Sequence, residues 1–256
     1  MEYALVCAVA LAASGLTLFS GFGLGTILFP AFALFFPADV AVAQTALVHM
    51  ANNVFKLALF WRAADLRTAL RFGVPAMAAA LAGAWLLTLL SDAAPIFTYE
   101  ALGAQRQASA VKLVLAGLMV FFAVAELRGT VKSGPARGGL VAGGLLSGFF
   151  GGLSGHQGAF RSAYLLKAGL SKEAFIATGV VLACAVDASR LAVYAGHLAR
   201  PEVSAKAWLV AWASVSAFAG AWIGRKLVRK GTLEGVRRAV AWMMAAVALG
   251  LAAGFL

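Results

Sequence analysis

Gly148-Phe-Phe-Gly151-Gly152-Leu-Ser-Gly155-His156-Gln157-Gly158-Ala-Phe-Arg161-Ser162 decides how this chain is read. A histidine, a glutamine and an arginine sit among glycines, inside an apolar run from 139 to 166. One membrane span needs about 20 residues. The run is longer than that and is broken at its glycines, so it reads as two half-helices meeting at a break. The first apolar run, 4–36, has the same form, with Gly21-Phe-Gly23-Leu-Gly25 as its break and Pro30 as a second breaker expected to kink the helix.

Outward from these two runs lie six cleaner apolar segments: 38–60, 68–90, 110–127, 173–198, 205–227 and 236–256. Of the 256 residues, 62% are apolar and 12% charged, and mean hydropathy is +0.90. A soluble domain carries about 25% charged residues. The composition excludes that class, disorder and nucleic-acid binding. The net charge of +11 punctuates apolar runs and forms no basic patch. Cys7 and Cys184 both lie in apolar runs and give neither a disulfide framework nor a metal motif. No cleavable signal is expected, because Glu2 is the sole charge of the first segment.

The halves align at an offset of 133 residues: Gly25 on Gly158, Ala41 on Ala174, Thr45 on Thr178, Trp61 on Tyr194. Each half reads as a broken element followed by three spans, which is an internal duplication. The basic residues set its orientation. With eight single crossings the loop Lys and Arg divide 8 against 10, with no bias. If the broken elements make no net crossing, one face collects fourteen, in the stretches 62–71, 128–137, 167–172 and 225–238. The other keeps Arg106, Lys112, Arg200 and Lys206. That split obeys the positive-inside rule. The expected fold class is therefore an all-α polytopic membrane protein with two inverted repeats. The first repeat covers 1–130, a cytoplasmic linker 131–138, and the second repeat 139–256.

Non-helical backbone at membrane depth is tolerated where it lines a cavity. Paired breaks in corresponding positions point to a substrate site near the midplane, where helix N-termini offer N–H groups to an anion. Gly21, Gly23, Gly25, Gly155 and Gly158 are the expected backbone contributors. Three cations, Lys56, Arg161 and Arg190, and one acid, Asp187, remain inside the expected membrane-embedded parts of these segments. Each costs roughly 2.5–3.5 kcal/mol at a span centre, so each should be buried, paired or functional.

Thr45, His49, Asn52 or Asn53, and Lys56 recur at helical spacing and form a polar stripe. It reads as one wall of a substrate path; helix–helix hydrogen bonding is the structural alternative. Lys56 can also snorkel. Asp187 and Arg190, three apart, can pair as a buried ion pair or act together. Arg161, in the first turn after the second break, would add a fork of donors to a helix N-terminus. His156 can couple transport to protons or serve as a neutral hydrogen-bond partner. Gln157, Ser162 and Thr178 complete the expected hydrogen-bonding set. His197 lies at a loop edge. Trp208, Trp212 and Trp242 fit interfacial anchoring. There is no HExxH, GxSxG or nucleotide-binding loop, so neither an enzyme nor an ATP-driven pump is expected, and no cofactor or metal.

The pattern resembles the sulfite exporter TauE/SafE family of membrane transporters, also called the 4-toluene sulfonate uptake permease family. In the first half the resemblance rests on Ser20-Gly-Phe-Gly-Leu-Gly25 leading to Pro30, on Ala43-Gln-Thr45, on Asn52-Asn53-Val-Phe-Lys56, and on the stretch Arg67–Pro75. In the second it rests on Gly148–Gly158 with Arg161, and on Ala177-Thr178. Leu24 stands where many members carry another glycine. The resemblance implies two related halves that move sulfur-containing anions, such as sulfite or organosulfonates, across the bacterial inner membrane. The expected partners are then a small anionic substrate and the lipid bilayer, with oligomeric state left open. Two other readings are a non-transporting membrane partner in sulfur metabolism, which would need Cys7 or Cys184, and a cation transporter built on Asp187.

Overall fold

The computed structural model describes residues 2–17, 23–101, 103–128, 139–199, 206–227 and 233–256. Gly21 and the linker 131–138 lie outside them. The helices are α1 (Glu2–Thr17), α2 (Leu24–Ala33), α3 (Ala38–Phe60), α4 (Leu66–Asp92), α5 (Ala110–Arg128), α6 (Gly139–Ser154), α7 (Gln157–Leu165), α8 (Lys172–Leu198), α9 (Ala207–Leu227) and α10 (Leu233–Ala252). The chain is an all-α polytopic membrane protein. α4, the 172–196 part of α8 and the 207–224 part of α9 are long and apolar enough to cross a membrane. α3 is 23 residues long, but its hydropathy is diluted by the buried stripe of Gln44, Thr45, His49, Asn52, Asn53 and Lys56.

Each long apolar run is two helices, as expected. The first divides into α1 and α2, with Gly23 at φ 121° entering α2. The second divides into α6 and α7, with Gly155 at φ 81° between them. Glycine reaches these left-handed values without the Cβ clash other residues meet. Pro30 lies inside α2, which continues through it. Its missing N–H leaves the Thr26 carbonyl without a helical donor.

The most extensive packing joins α4 to α6 and α1 to α9. α6 aligns Gly144, Gly148 and Gly152 at four-residue spacing against α4. A Cβ at these positions would overlap the carbonyls of Phe72, Ala76 and Ala80. Gly83 returns the contact against Phe149. On the other pair, Gly220 abuts the Leu11 carbonyl and Gly224 abuts Gly15. In lipid, apolar side chains do not drive helices together, so small residues that let backbones meet are the main source of packing energy. α4 turns Leu66, Leu70, Val74, Met77, Leu81, Trp85 and Leu89 outward. That apolar stripe is about 35 Å long at 1.5 Å per residue and fits contact with lipid tails. Trp208, Trp212 and Trp242 are also exposed.

One element departs from an all-helical reading. Between α4 and α5 lies an antiparallel hairpin of β1 (Phe97–Ala101) and β2 (Ala104–Ala108). Gly103 turns it at φ 73°. It fastens the chain's end: Tyr99 Oη donates to the Ala253 carbonyl, and the Arg106 guanidinium lies 4.7 Å from the Phe255 ring centre. At the other end of α4, Asp65 caps the helix by accepting the Thr68 N–H at 2.7 Å. The Thr68 side chain, and then this N–H bond, hold the Asp65 carboxyl below its ordinary range.

Candidate functional site

The two breaks meet. A Cβ built on Gly25, in the first turn of α2, would stand 3.2 Å from the Gly155 carbonyl oxygen and 3.9 Å from both His49 Cδ2 and Thr45 Cγ2. Two helix N-termini, those of α2 and α7, thus open beside the polar face of α3. The first-turn N–H groups of a helix have no intrahelical acceptors. Here they are gathered from two helices at one buried place.

Asp187 ties this place together. Its Oδ1 accepts from Arg190 Nε at 3.0 Å, Arg190 Nη2 at 2.8 Å and Gln157 Nε2 at 2.9 Å. Its Oδ2 stands 2.6 Å from His49 Nδ1 and accepts from Asn53 Nδ2 at 3.3 Å. One carboxylate therefore links α3, α7 and α8. At 2.6 Å a nitrogen and a carboxylate oxygen need a proton between them. Nδ1 of His49 accordingly carries its hydrogen and donates. The Asn53 amide also lies 3.0 Å from Nδ1 and 3.5 Å from Nε2 of the same ring.

Arg190 is wholly buried and its remaining bond is structural: Nη1 donates to the Gly151 carbonyl at 3.2 Å. Tyr194 Oη donates to the Gly152 carbonyl. Both close the carbonyl end of α6, and a cation there also complements the helix dipole. The paired alternative raised for Asp187 and Arg190 is thus the observed one. The C-terminal end of α6 is neutralised, while the N-terminal end of α7 keeps its partial positive charge.

Arg161 projects from the first turns of α7. Its Nη1 donates to Gln157 Oε1 at 3.0 Å, and through Gln157 it joins the Asp187 network. Lys56, 7% exposed, has no carboxylate partner among the described residues. It lies near enough to Arg161 for the two charges to repel. The other buried acid, Asp39, sits in the first turn of α3, about 25 Å from Lys56 along the helix. Around the breaks, three cations face one carboxylate.

Several buried polar atoms here have no partner among the described residues: Thr45 Oγ1, Asn52 Nδ2, His156 Nε2, and both amide atoms of Gln44. An unsatisfied buried polar atom costs about 1–3 kcal/mol, so such groups are candidates to bind water, an ion or a substrate. Gln44 was not among the expected site residues. Its signal was its place beside Thr45, at the start of the polar stripe of α3.

Other expected residues are placed differently. His156 stacks on Phe122, ring centres 4.6 Å apart, and turns Nδ1 to the Ser154 carbonyl and Oγ, each at 3.0 Å. Thr178 Oγ1 accepts the Asp65 N–H at 2.9 Å, which binds α8 to the start of α4. Asn52 Oδ1 accepts from Ser14 on α1 at 3.0 Å, leaving only its amide nitrogen uncommitted. Gly158 is buried in the first turn of α7, and Ser162 is half-buried one turn on. The side chain of His197 lies outside the described residues. No His, Cys, Asp and Glu cluster able to hold a metal occurs among the described residues.

A model of the sulfite exporter TauE/SafE family matches residues 6–251. The chain belongs to the sulfite exporter TauE/SafE family. This is a membrane-transport family, and the match spans both breaks and the whole Asp187 network. No curated protein and no solved structure matches the chain. As in the family's name, sulfur-anion transport is the activity to set against the cationic cluster of this TauE/SafE member.

Proposed function

We propose that this protein is a secondary transporter of small sulfur-containing anions, sulfite or an organosulfonate, in the bacterial inner membrane. The observation that carries the reading is the excess of buried positive charge where two helix N-termini converge. Lys56, Arg161 and Arg190 against Asp187 leave a surplus of cations, and backbone N–H groups add to it. An oxyanion would satisfy both the charge and the unpartnered Thr45 and Asn52 atoms. Arg161 and Lys56 neutralise the anion. Thr45 and Asn52 contact its oxygens. Arg190 and Asp187 hold the frame.

The chain is read as two related halves of opposite orientation, which move by rocking against each other. Support comes from matching contacts under the 133-residue offset. α1 packs on α9 as α6 packs on α4, α3 faces α8, and α5 faces α10. The cation-carrier reading is disfavoured because Asp187 already accepts from four side chains. Ligand binding raises stability by mass action. The test is therefore the melting point of the purified protein with sulfite, sulfate, thiosulfate, isethionate and simple carboxylates. A shift with sulfur oxyanions supports the reading. A shift with cations alone would overturn it.

A further inference from the structure

We propose that His49 is the proton-binding site that couples transport to protons, taking up its proton on Nε2 when an anion enters. The proposal rests on the anion reading above and names its coupling ion. Of the three histidines, His49 alone is placed to do this among the described side chains. His156 also has Nδ1 engaged and Nε2 unpartnered, but its ring is stacked on Phe122 at 1% exposure, and Nδ1 faces Ser154 where that of His49 faces a carboxylate.

Nδ1 of His49 is fixed by Asp187 Oδ2 at 2.6 Å, so proton exchange falls to Nε2. Cδ2, the ring carbon bonded to Nε2, is 3.9 Å from the Cβ position of Gly25, at the mouth of α2 where the breaks meet. His49 also retains 8% exposure, whereas Asp187 and Arg190 have none. The charged groups acting on His49 are Asp187 and Arg190 from α8 and Arg161 from α7. Asn53 is its polar neighbour on α3, the amide 3.5 Å from Nε2, and Gly25 of α2 stands beside the ring.

The chemistry follows from charge balance. Asp187 is already neutralised by Arg190, so a proton on His49 adds positive charge to a cluster that is positive without it. An anion seated between His49, Arg161 and the α2 N-terminus offsets that charge. Anion and proton therefore raise each other's affinity, by the same factor in each direction. The contact with Asp187 survives in both states, so the ring does not need to move. Because it joins α3 to α8, the charge change falls on a contact between the two halves of the chain.

The test is calorimetry of the purified wild-type protein with sulfate, thiosulfate and isethionate, none of which titrates near neutral pH. Binding heats in buffers of different ionisation enthalpy give the protons taken up. Roughly one proton per anion is expected, with the apparent Kd weakening by up to about tenfold per pH unit as pH rises through the coupled range. A His156→Gln, His197→Gln protein labelled with 15N-histidine then reports His49 alone. Its signal should move to the imidazolium position on anion addition. Anion binding without proton uptake overturns this inference and leaves the transport reading standing, as does a His49 signal that stays neutral. Binding of none of the three anions overturns this inference, and the transport reading falls with it only if sulfite also leaves the melting point unchanged.

Discussion

Gly25 and Gly155 are in contact across the two halves of the chain, the Cβ position of one lying 3.2 Å from the carbonyl oxygen of the other. This fixes the distance between the openings of α2 and α7, and so the size of the place an anion can occupy. Gly25→Val should fill it. The expected outcome is folded protein with anion-dependent stabilisation lost and a cost of about 1–3 kcal/mol from overpacking. Melting with and without sulfite reads both effects. Unchanged anion stabilisation in the variant would place the site elsewhere.

Asp187 carries the internal charge balance. Asp187→Asn keeps the shape but leaves Arg190 buried without its counter-charge, a loss of about 3–5 kcal/mol. The double variant Asp187→Asn, Arg190→Met should recover much of that stability. Chemical unfolding in detergent separates the two. A single variant as stable as wild type would mean that water reaches Arg190.

Gly148 predicts the strength of the α4–α6 contact. Its Cβ position overlaps the Ala76 carbonyl. Gly148→Leu must push the helices apart, and it should lower the melting point far more than Gly103→Ala in the hairpin turn. Gly103 has open space around it, and its substitution strains only a φ of 73°. Equal losses would mean that the helix contact contributes little.

Cys7 and Cys184 are free thiols. A protein with both changed to Ala should transport as wild type does, measured as flux into vesicles. Abolished flux with intact folding would revive the thiol-dependent partner reading.

Much of this was legible in the chain. Gly23-Leu-Gly25 and Gly155-His-Gln-Gly158 announced the breaks, because glycine runs interrupt long apolar segments for few other reasons. The polar stripe from Thr45 to Lys56 was visible through its helical spacing, as was the Asp187–Arg190 pair at i,i+3. The His49–Asp187 bond was not, since it spans 138 positions and no local spacing encodes it. At His156 local order leaves two readings open, a titrating group and a neutral hydrogen-bond partner, and it does not encode the stack on Phe122. Two further signals lie in the sequence. Gly144, Gly148 and Gly152 recur every four residues, the mark of close helix packing. Phe97-Thr-Tyr-Glu-Ala101 alternates ahead of Gly103, the mark of a hairpin.

The most direct test of the account is uptake of 35S-labelled thiosulfate and sulfite into vesicles containing the wild-type protein, beside vesicles containing Arg161→Ala. Losing a charged hydrogen-bonding partner costs about 2 kcal/mol, or about 30-fold. Saturable wild-type flux is expected, with a drop of at least that size in the variant and the variant still folded by its melting curve. Wild-type flux from Arg161→Ala would contradict this expectation.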